Sequence, residues 1–435
     1  MSPDLKKVNT HSDRGFDIVY WLWVLMLFLP ERLIAYYIPP LLRIRSLPTL
    51  LLLLALFFWW HSDREKFKFK WLGLFLISLF ISTLFAENTG RARLVFRLVL
   101  EYYFLARISF TFIDNQYKTQ KMLYLFALQF LYLGIWGMIG FLQTGRGLIT
   151  WDYILNEEDA FGPLMGIGVA YCYQYYRAQE KGRSKTIALL ATLICVVGVI
   201  LSFARGTFLV LICTMFYFLI KSGNFLKGLL VIGFAAVVIL AATSLIFPEN
   251  AFWKEMQTST EGISTGTGRD RKVLWSLAWE EYKDNPVLGV GPSNFGVSAA
   301  RYLHLVKDPG NYRSDTIWGR ALHNAYFQIL SELGSFGLVI FLMILFDFNK
   351  TNRESLSYRT NIKDGSSTVT ENNGTKQLIL GIRIAMLAFL LNAFFYDIIY
   401  YSWFWILLIY NRMLHINITK RKMLDNLMAA KSSLQ

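Results

Sequence analysis

The chain has 435 residues, of which 54% are hydrophobic and only 17% charged, against roughly 25% charged in ordinary soluble domains. The deficit lies in long uncharged runs such as 50–60 and 186–203, which exclude a soluble globular chain and lack the alternation of barrel strands. A net charge of +14 would suggest nucleic acid on a soluble protein, but cytoplasmic loops of membrane proteins carry excess Lys and Arg, so no nucleic-acid partner is expected.

Residues 1–16 are polar, and the first apolar run lacks a small-residue cleavage site, which predicts an uncleaved anchor. Apolar stretches of spanning length predict helices near 16–30, 47–60, 71–86, 94–113, 121–142, 161–178, 186–203, 205–220 and 225–247. Three more follow near 323–346, 377–396 and 399–415, giving an all-α polytopic membrane protein of about twelve transmembrane helices. The segment 33–42 reads as re-entrant or as an extension of the second span. Two polar segments interrupt the series: 248–322 between spans nine and ten, and 347–376, whose Gly, Ser, Thr and Asn over 365–375 predict a flexible loop. Residues 1–189 thus form the N-terminal helices, 190–346 a central unit, 347–376 a cytoplasmic loop, and 377–435 a final hairpin with its tail.

A cytoplasmic N-terminus places most of the Lys-rich loops inside, with Lys118, Lys121, Lys181, Lys185 and Lys420 among them, as the positive-inside rule requires. The acidic loop with Asp152, Glu157, Glu158 and Asp159 and the long segment 248–322 then fall outside. The short outer loops carry Arg32, Arg43, Arg45, Arg91, Arg93, Arg146 and Arg205 but no lysine. Arginine offers a planar fork for phosphate, so this set predicts a phosphorylated ligand at the outer face. Contact with lipid headgroups is the alternative for any single member. Within the fourth span, Glu101 lies four residues after Arg97 and is expected to pair with it. Cys172, Cys195 and Cys213 lack ligand-like or framework spacing.

The outer segment contains Thr265-Gly-Thr-Gly-Arg-Asp-Arg-Lys-Val-Leu-Trp275. From 271 to 282 the pattern predicts an amphipathic helix with Leu274, Trp275 and Ala278 on one face, ended by Asp284-Asn-Pro286. Leu288-Gly-Val-Gly-Pro292 predicts a tight turn and lacks the Gly-Lys-Ser/Thr of a nucleotide loop. His323, where the chain re-enters the membrane, has the near-neutral imidazole of a general base. His304 has the same chemistry in a less distinctive place, and Asp270, Glu261 and Asp315 are acidic alternatives. No Asp-X-Asp or His/carboxylate cluster appears in the outer loops, so neither a metal nor a cofactor is expected.

Three blocks together resemble the C-terminal domain shared by O-antigen ligases and O-antigen polymerases. They are Ser202-Phe-Ala-Arg205-Gly206; Arg271-Lys-Val-Leu-Trp275 with Asn285-Pro-Val-Leu-Gly-Val-Gly-Pro-Ser-Asn-Phe295; and His323-Asn-Ala-Tyr with Glu332-Leu-Gly-Ser-Phe-Gly337. The resemblance covers roughly 190–345, and the N-terminal half agrees only in hydropathy. It implies a metal-independent glycosyltransferase with a GT-C-like fold in the bacterial inner membrane, active on its periplasmic face. The donor would be an undecaprenyl-diphosphate-linked glycan and the acceptor lipid A–core, with growth of a repeat chain as the polymerase alternative. The family's paired arginines map onto Arg205 and Arg271, and its histidine onto His323. Arg269 competes with Arg271, which the spacing to Trp275 favours. Arg269, Arg91, Arg93, Arg320 and Asn324 are further candidates for binding substrate. A lipid-linked sugar transporter or flippase is the reading from another class, but related halves and broken helices are not evident in the sequence.

Overall fold

The computed structural model describes residues 3–28, 69–152, 154–221, 266–310, 312–357 and 366–432, and every regular element among them is helical. The long helices are α1 (Pro3–Phe28), α2 (Lys70–Leu84), α3 (Thr89–Phe112), α4 (Gln116–Thr144), α5 (Glu158–Ala178), α6 (Arg183–Leu201) and α7 (Arg205–Lys221). The outer segment contributes α8 (Gly266–Asp284), the single turn α9 (Phe295–Ser298), a 3-10 turn over Ala299–Leu305, and α10 (Ser314–Ile317). The chain then continues through α11 (Ala325–Ser357), α12 (Ser366–Asn392) and α13 (Ser402–Ser432).

Local chemistry sets several of these ends. Asn88 and Asn115 cap α3 and α4 by accepting from the backbone N–H of Arg91 and Lys118, as short polar side chains do at helix starts. Gly145, at φ 76°, closes α4 in the left-handed conformation. Helix α8 stops at Asp284, before Asn285-Pro286, as its sequence predicts.

Each expected span outside 47–60 and 225–247 coincides with a helix, and those two lie outside the described residues, as do Arg32, Arg43, Arg45, Glu261 and segment 33–42. Four helices are long and apolar enough to cross a membrane: Gln116–Thr144, Arg183–Leu201, Ala325–Ser357 and Asn373–Asn392. Lys70–Leu84 and Arg205–Phe218 are shorter apolar helices. Exposed apolar stripes follow helical spacing, with Leu189, Leu193 and Val197 on α6 and Leu209, Ile212, Phe216 and Ile220 on α7. Such faces suit hydrocarbon rather than water, and the chain is a multi-pass membrane protein. The polar segment 347–376 differs from the flexible loop expected of it, because α11 runs on to Ser357 and α12 already begins at Ser366.

Helix α5 is the axis of the bundle, with every residue from Ala160 to Cys172 buried. It packs on α4, α6, α7 and α12. Gly162, Gly166 and Gly168 allow this, since a methyl there would meet Ala204 and Ser202, Thr207, or Cys195 and Phe130. Arg97 Nε donates to the buried Glu101 at 2.8 Å, the expected pair.

The two ends of the bundle differ in charge. At one end Lys118 lies near Asp114, Lys420 Nζ reaches the Asp114 carbonyl, and Arg421 reaches Gln116. The opposite end gathers the starts of α5, α7, α11 and α13 with α8, α9 and α10. Contacts tie it together: Gly147 N–H to the Leu201 carbonyl, Ala325 N–H to that of Ala393, and Thr207 Oγ1 to Asn392.

Candidate functional site at the arginine-rich end

Helix α11 carries the largest surprise. It is interrupted at Gly334, whose φ of 64° and ψ of −168° are far from helical, so a broken helix exists where the sequence suggested none. The break frees backbone groups, and the turn 286–291 takes them up. Val290 and Gly291 donate to the carbonyls of Ser331 and Glu332, while Ser335 and Phe336 donate to those of Pro286 and Val287. Side-chain atoms at Gly289 or Gly334 would strike the opposing backbone, so both positions require glycine. Glu332, 2% exposed, accepts from the N–H groups of Ser293 and Phe295 at 2.8 and 3.3 Å. Ser82 on α2 donates to the carbonyls of Leu288 and Glu332, and Asn294 accepts from Asn88 N–H at 2.6 Å. Most of the second and third sequence blocks therefore clamp the outer segment onto α2, α3 and α11.

The clamp fixes α8 above the bundle. Its buried face is Val273, Leu274, Leu277 and Ala278, with Trp275 stacked on Phe327 at 5.8 Å between ring centres. Arg269 and Arg271 consequently diverge. Arg269 is exposed and pairs with Asp308 at 2.5 Å. Arg271 is half-buried, and its charge acts on His323, Asp159 and Tyr396. Arg205, in the first turn of α7, acts on the same Asp159, as does Arg146.

His323 occupies the turn into α11 with a φ of 54°, a conformation uncommon outside glycine. Asp397, in the turn between α12 and α13, holds it there by accepting from the N–H groups of Leu322 at 2.6 Å and Asn324 at 2.9 Å. Asn324 is buried and caps α11, its Oδ1 accepting from Tyr326 and Phe327 N–H, while its Nδ2 donates to the Phe394 carbonyl. The imidazole Nδ1 lies 3.5 Å from Asp159 Oδ2, an ion-pair separation rather than a tight hydrogen bond. Burial lowers the pKa of His323; Asp397 opposes this and the positive charges of Arg271 and Arg320 reinforce it. Burial pushes the Asp397 carboxyl up, against the pull of His323 and of the backbone N–H groups it binds. A neutral imidazole between two carboxylates and two guanidinium groups can take a proton near neutral pH.

The other expected residues are more peripheral. Arg320 is exposed, bonds the Thr316 carbonyl through Nε at 3.0 Å, and reaches the site through its charge. Arg91 lies 4.8 Å from the Trp318 ring centre. Arg93 is exposed on α3, and no ion pair joins it to the described residues. His304 and Asp315 are exposed on the outer segment, and Asp270, half-buried on α8, acts on Tyr312. Asp159 and Asp397 were not singled out as site residues by sequence reasoning. Asp397 had a signal, being the only charged residue between Arg383 and Arg412, and a lone acid in an apolar run is a functional candidate.

No curated protein matches the chain. Residues 190–342 match the model of the family described as O-Antigen ligase, which places this part of the chain, with Arg205, Arg271 and His323 inside it, in the O-antigen ligase/polymerase superfamily.

Proposed function

We propose that the protein transfers a glycan from an undecaprenyl-diphosphate carrier to an acceptor hydroxyl at the periplasmic face of the inner membrane, and that the acceptor is lipid A–core. The observation that carries this reading is the convergence of Arg205 and Arg271, from two separate helices, on the carboxylate that flanks His323. A diphosphate would take over the electrostatic role Asp159 has toward these guanidinium groups. His323 accepts the acceptor's proton as its oxygen attacks the anomeric carbon, and the bond to the diphosphate breaks with its electron pair. The charge that develops on the leaving diphosphate is met by Arg205 and Arg271, more strongly in the transition state than in the ground state. In this reading the two arginines do the work of a metal ion. Asn324 and Asp397 act by position, fixing the His323 turn, and Arg320 and Arg269 border the entrance.

Lys118 and Lys420, gathered at the opposite end, support the orientation, since that end would be cytoplasmic. A reconstituted assay tests the proposal, with an undecaprenyl-diphosphate glycan, EDTA throughout, and lipid A–core, repeat-unit and peptide acceptors in separate arms. Transfer to lipid A–core that disappears in His323→Ala and Arg205→Ala supports it. Chain growth without core transfer assigns the polymerase branch. No transfer to any acceptor, with carrier movement across the liposome, overturns it in favour of transport.

A further inference from the structure

Trp318 stands out on the outer segment because it is 60% exposed yet held still. The preceding Ile317 is fully buried, Gly319 N–H donates to the Gly296 carbonyl at 2.8 Å, and Arg320 Nε bonds the Thr316 carbonyl. A methyl on Gly296 would collide with the backbone of Gly319 and Arg320, so the loop sits tightly on the 294–296 turn. Arg91, reaching over from α3, packs its guanidinium 4.8 Å from the ring centre. That contact sets the guanidinium over one face of the indole, while the residue as a whole stays 60% exposed.

We propose that Trp318 is a stacking subsite for a pyranose ring of the glycan handled at His323; this rests on the glycan-transfer reading above. One face of a pyranose presents C–H groups of partial positive charge, which match the negative face of an aromatic ring, and indole offers the largest such face. Binding on a side chain already immobilised costs little ordering entropy. The flanking guanidinium groups of Arg91 and Arg320 supply donors for sugar hydroxyls or an acidic substituent. Arg320, two residues along the same loop, also acts electrostatically on His323. An aromatic anchor for lipid headgroups would sit on a spanning helix, whereas Trp318 belongs to a loop seated on the outer segment.

Trp318→Ala, Trp318→Leu and Trp318→Phe separate these roles in the full-length, detergent-solubilised protein. Saturation-transfer NMR with maltohexaose as a neutral probe and hexagalacturonate as an acidic one reads binding without any transfer reaction. Ring-proton signal from at least one probe, reduced about fivefold or more in the Ala and Leu variants and largely kept in the Phe variant, is the expected result. In the transfer assay the same Ala variant raises KM for the glycan by about tenfold with kcat little changed. Equal signal in wild type and Trp318→Ala, or no signal from either probe with wild type, overturns the subsite. So does a loss of thermal stability in Trp318→Ala that Trp318→Leu restores together with binding, which identifies a lipid anchor. Probe binding at Trp318 with no glycan transfer by wild type leaves the subsite standing and sinks the transfer reading alone.

Discussion

Arg269 and Arg271 are two residues apart and face different surroundings, so they make a sharp test of the site. Arg269 is engaged by Asp308, with side chains 44% and 69% exposed. An exposed pair of this kind contributes little, and Arg269→Ala is expected to change transfer by less than about fivefold. Arg271 is half-buried and projects its charge onto His323 and Asp159. Removing a fixed donor aimed at developing negative charge costs about 100- to 1,000-fold in kcat, or roughly 3–4 kcal/mol. Arg271→Lys keeps the charge but loses the fork, and falls between the two. The assay is steady-state transfer from the lipid-diphosphate donor, with Arg205→Ala and the Arg205→Ala/Arg271→Ala double variant alongside. In the proposed reaction both arginines serve one leaving group, so the double variant should lose much less than the product of the single losses. Equal damage from Arg269→Ala and Arg271→Ala, or an Arg271→Ala enzyme within about threefold of wild type, would refute the assignment.

Three further outcomes follow from the same geometry. Burial, Arg271 and Arg320 hold the His323 pKa below the ordinary value, so the imidazole is neutral at pH 7 and kcat/KM should fall only on the acid side of about 6.5. Arg320→Ala relieves that depression and should move the acid limb to higher pH; a shift to lower pH would contradict the electrostatics. Glu332→Ala strands the part-buried N–H of Ser293 and the buried N–H of Phe295, at about 1–3 kcal/mol for the buried one, and should lower the unfolding midpoint and expose 286–295 to limited proteolysis, with Glu332→Gln milder. Gly334→Ala forces a side chain into a left-handed residue facing the Val287 backbone and should destabilise by about 2 kcal/mol or more, read by thermal unfolding.

Features encoded locally were legible in the sequence. The end of α8 follows from the Asn285-Pro286 stop, although its start lies at Gly266 rather than at 271, and the Arg97–Glu101 pair follows from its spacing along one helix. The order of the three blocks singled out Arg205, Arg271 and His323, and all three fall inside the matched stretch 190–342. Their surroundings were not legible, because they depend on residues far apart in the chain. Asp159 read only as part of an acidic outer loop, although it lies beside His323 in space. Leu288-Gly-Val-Gly-Pro292 read as a turn, while its glycines serve a backbone pairing that exists only because α11 breaks at Gly334. A helix that keeps its apolar pattern across a single glycine gives no periodic signal of interruption.

Asp159 also carries the most discriminating prediction about how the site works. Its carboxylate is near enough to Arg205, Arg271 and Arg146 to feel all three charges, and it flanks Nδ1 of His323. It therefore offsets the charge of the groups proposed to grip the diphosphate, and in that reading a doubly charged ligand must displace or outweigh it. Asp159→Asn removes that competition, and the donor should bind more tightly, with a lower KM. The same change deprives His323 of the carboxylate that stabilises its imidazolium once the acceptor's proton has moved, so kcat should fall by about tenfold or more. A purely structural role would not split the two constants in this way, since a misfolded site loses affinity and turnover together. A raised donor KM in Asp159→Asn, measured beside an unchanged unfolding midpoint, would show that Asp159 assists the arginines rather than competing for them, and the anion would have to be held elsewhere.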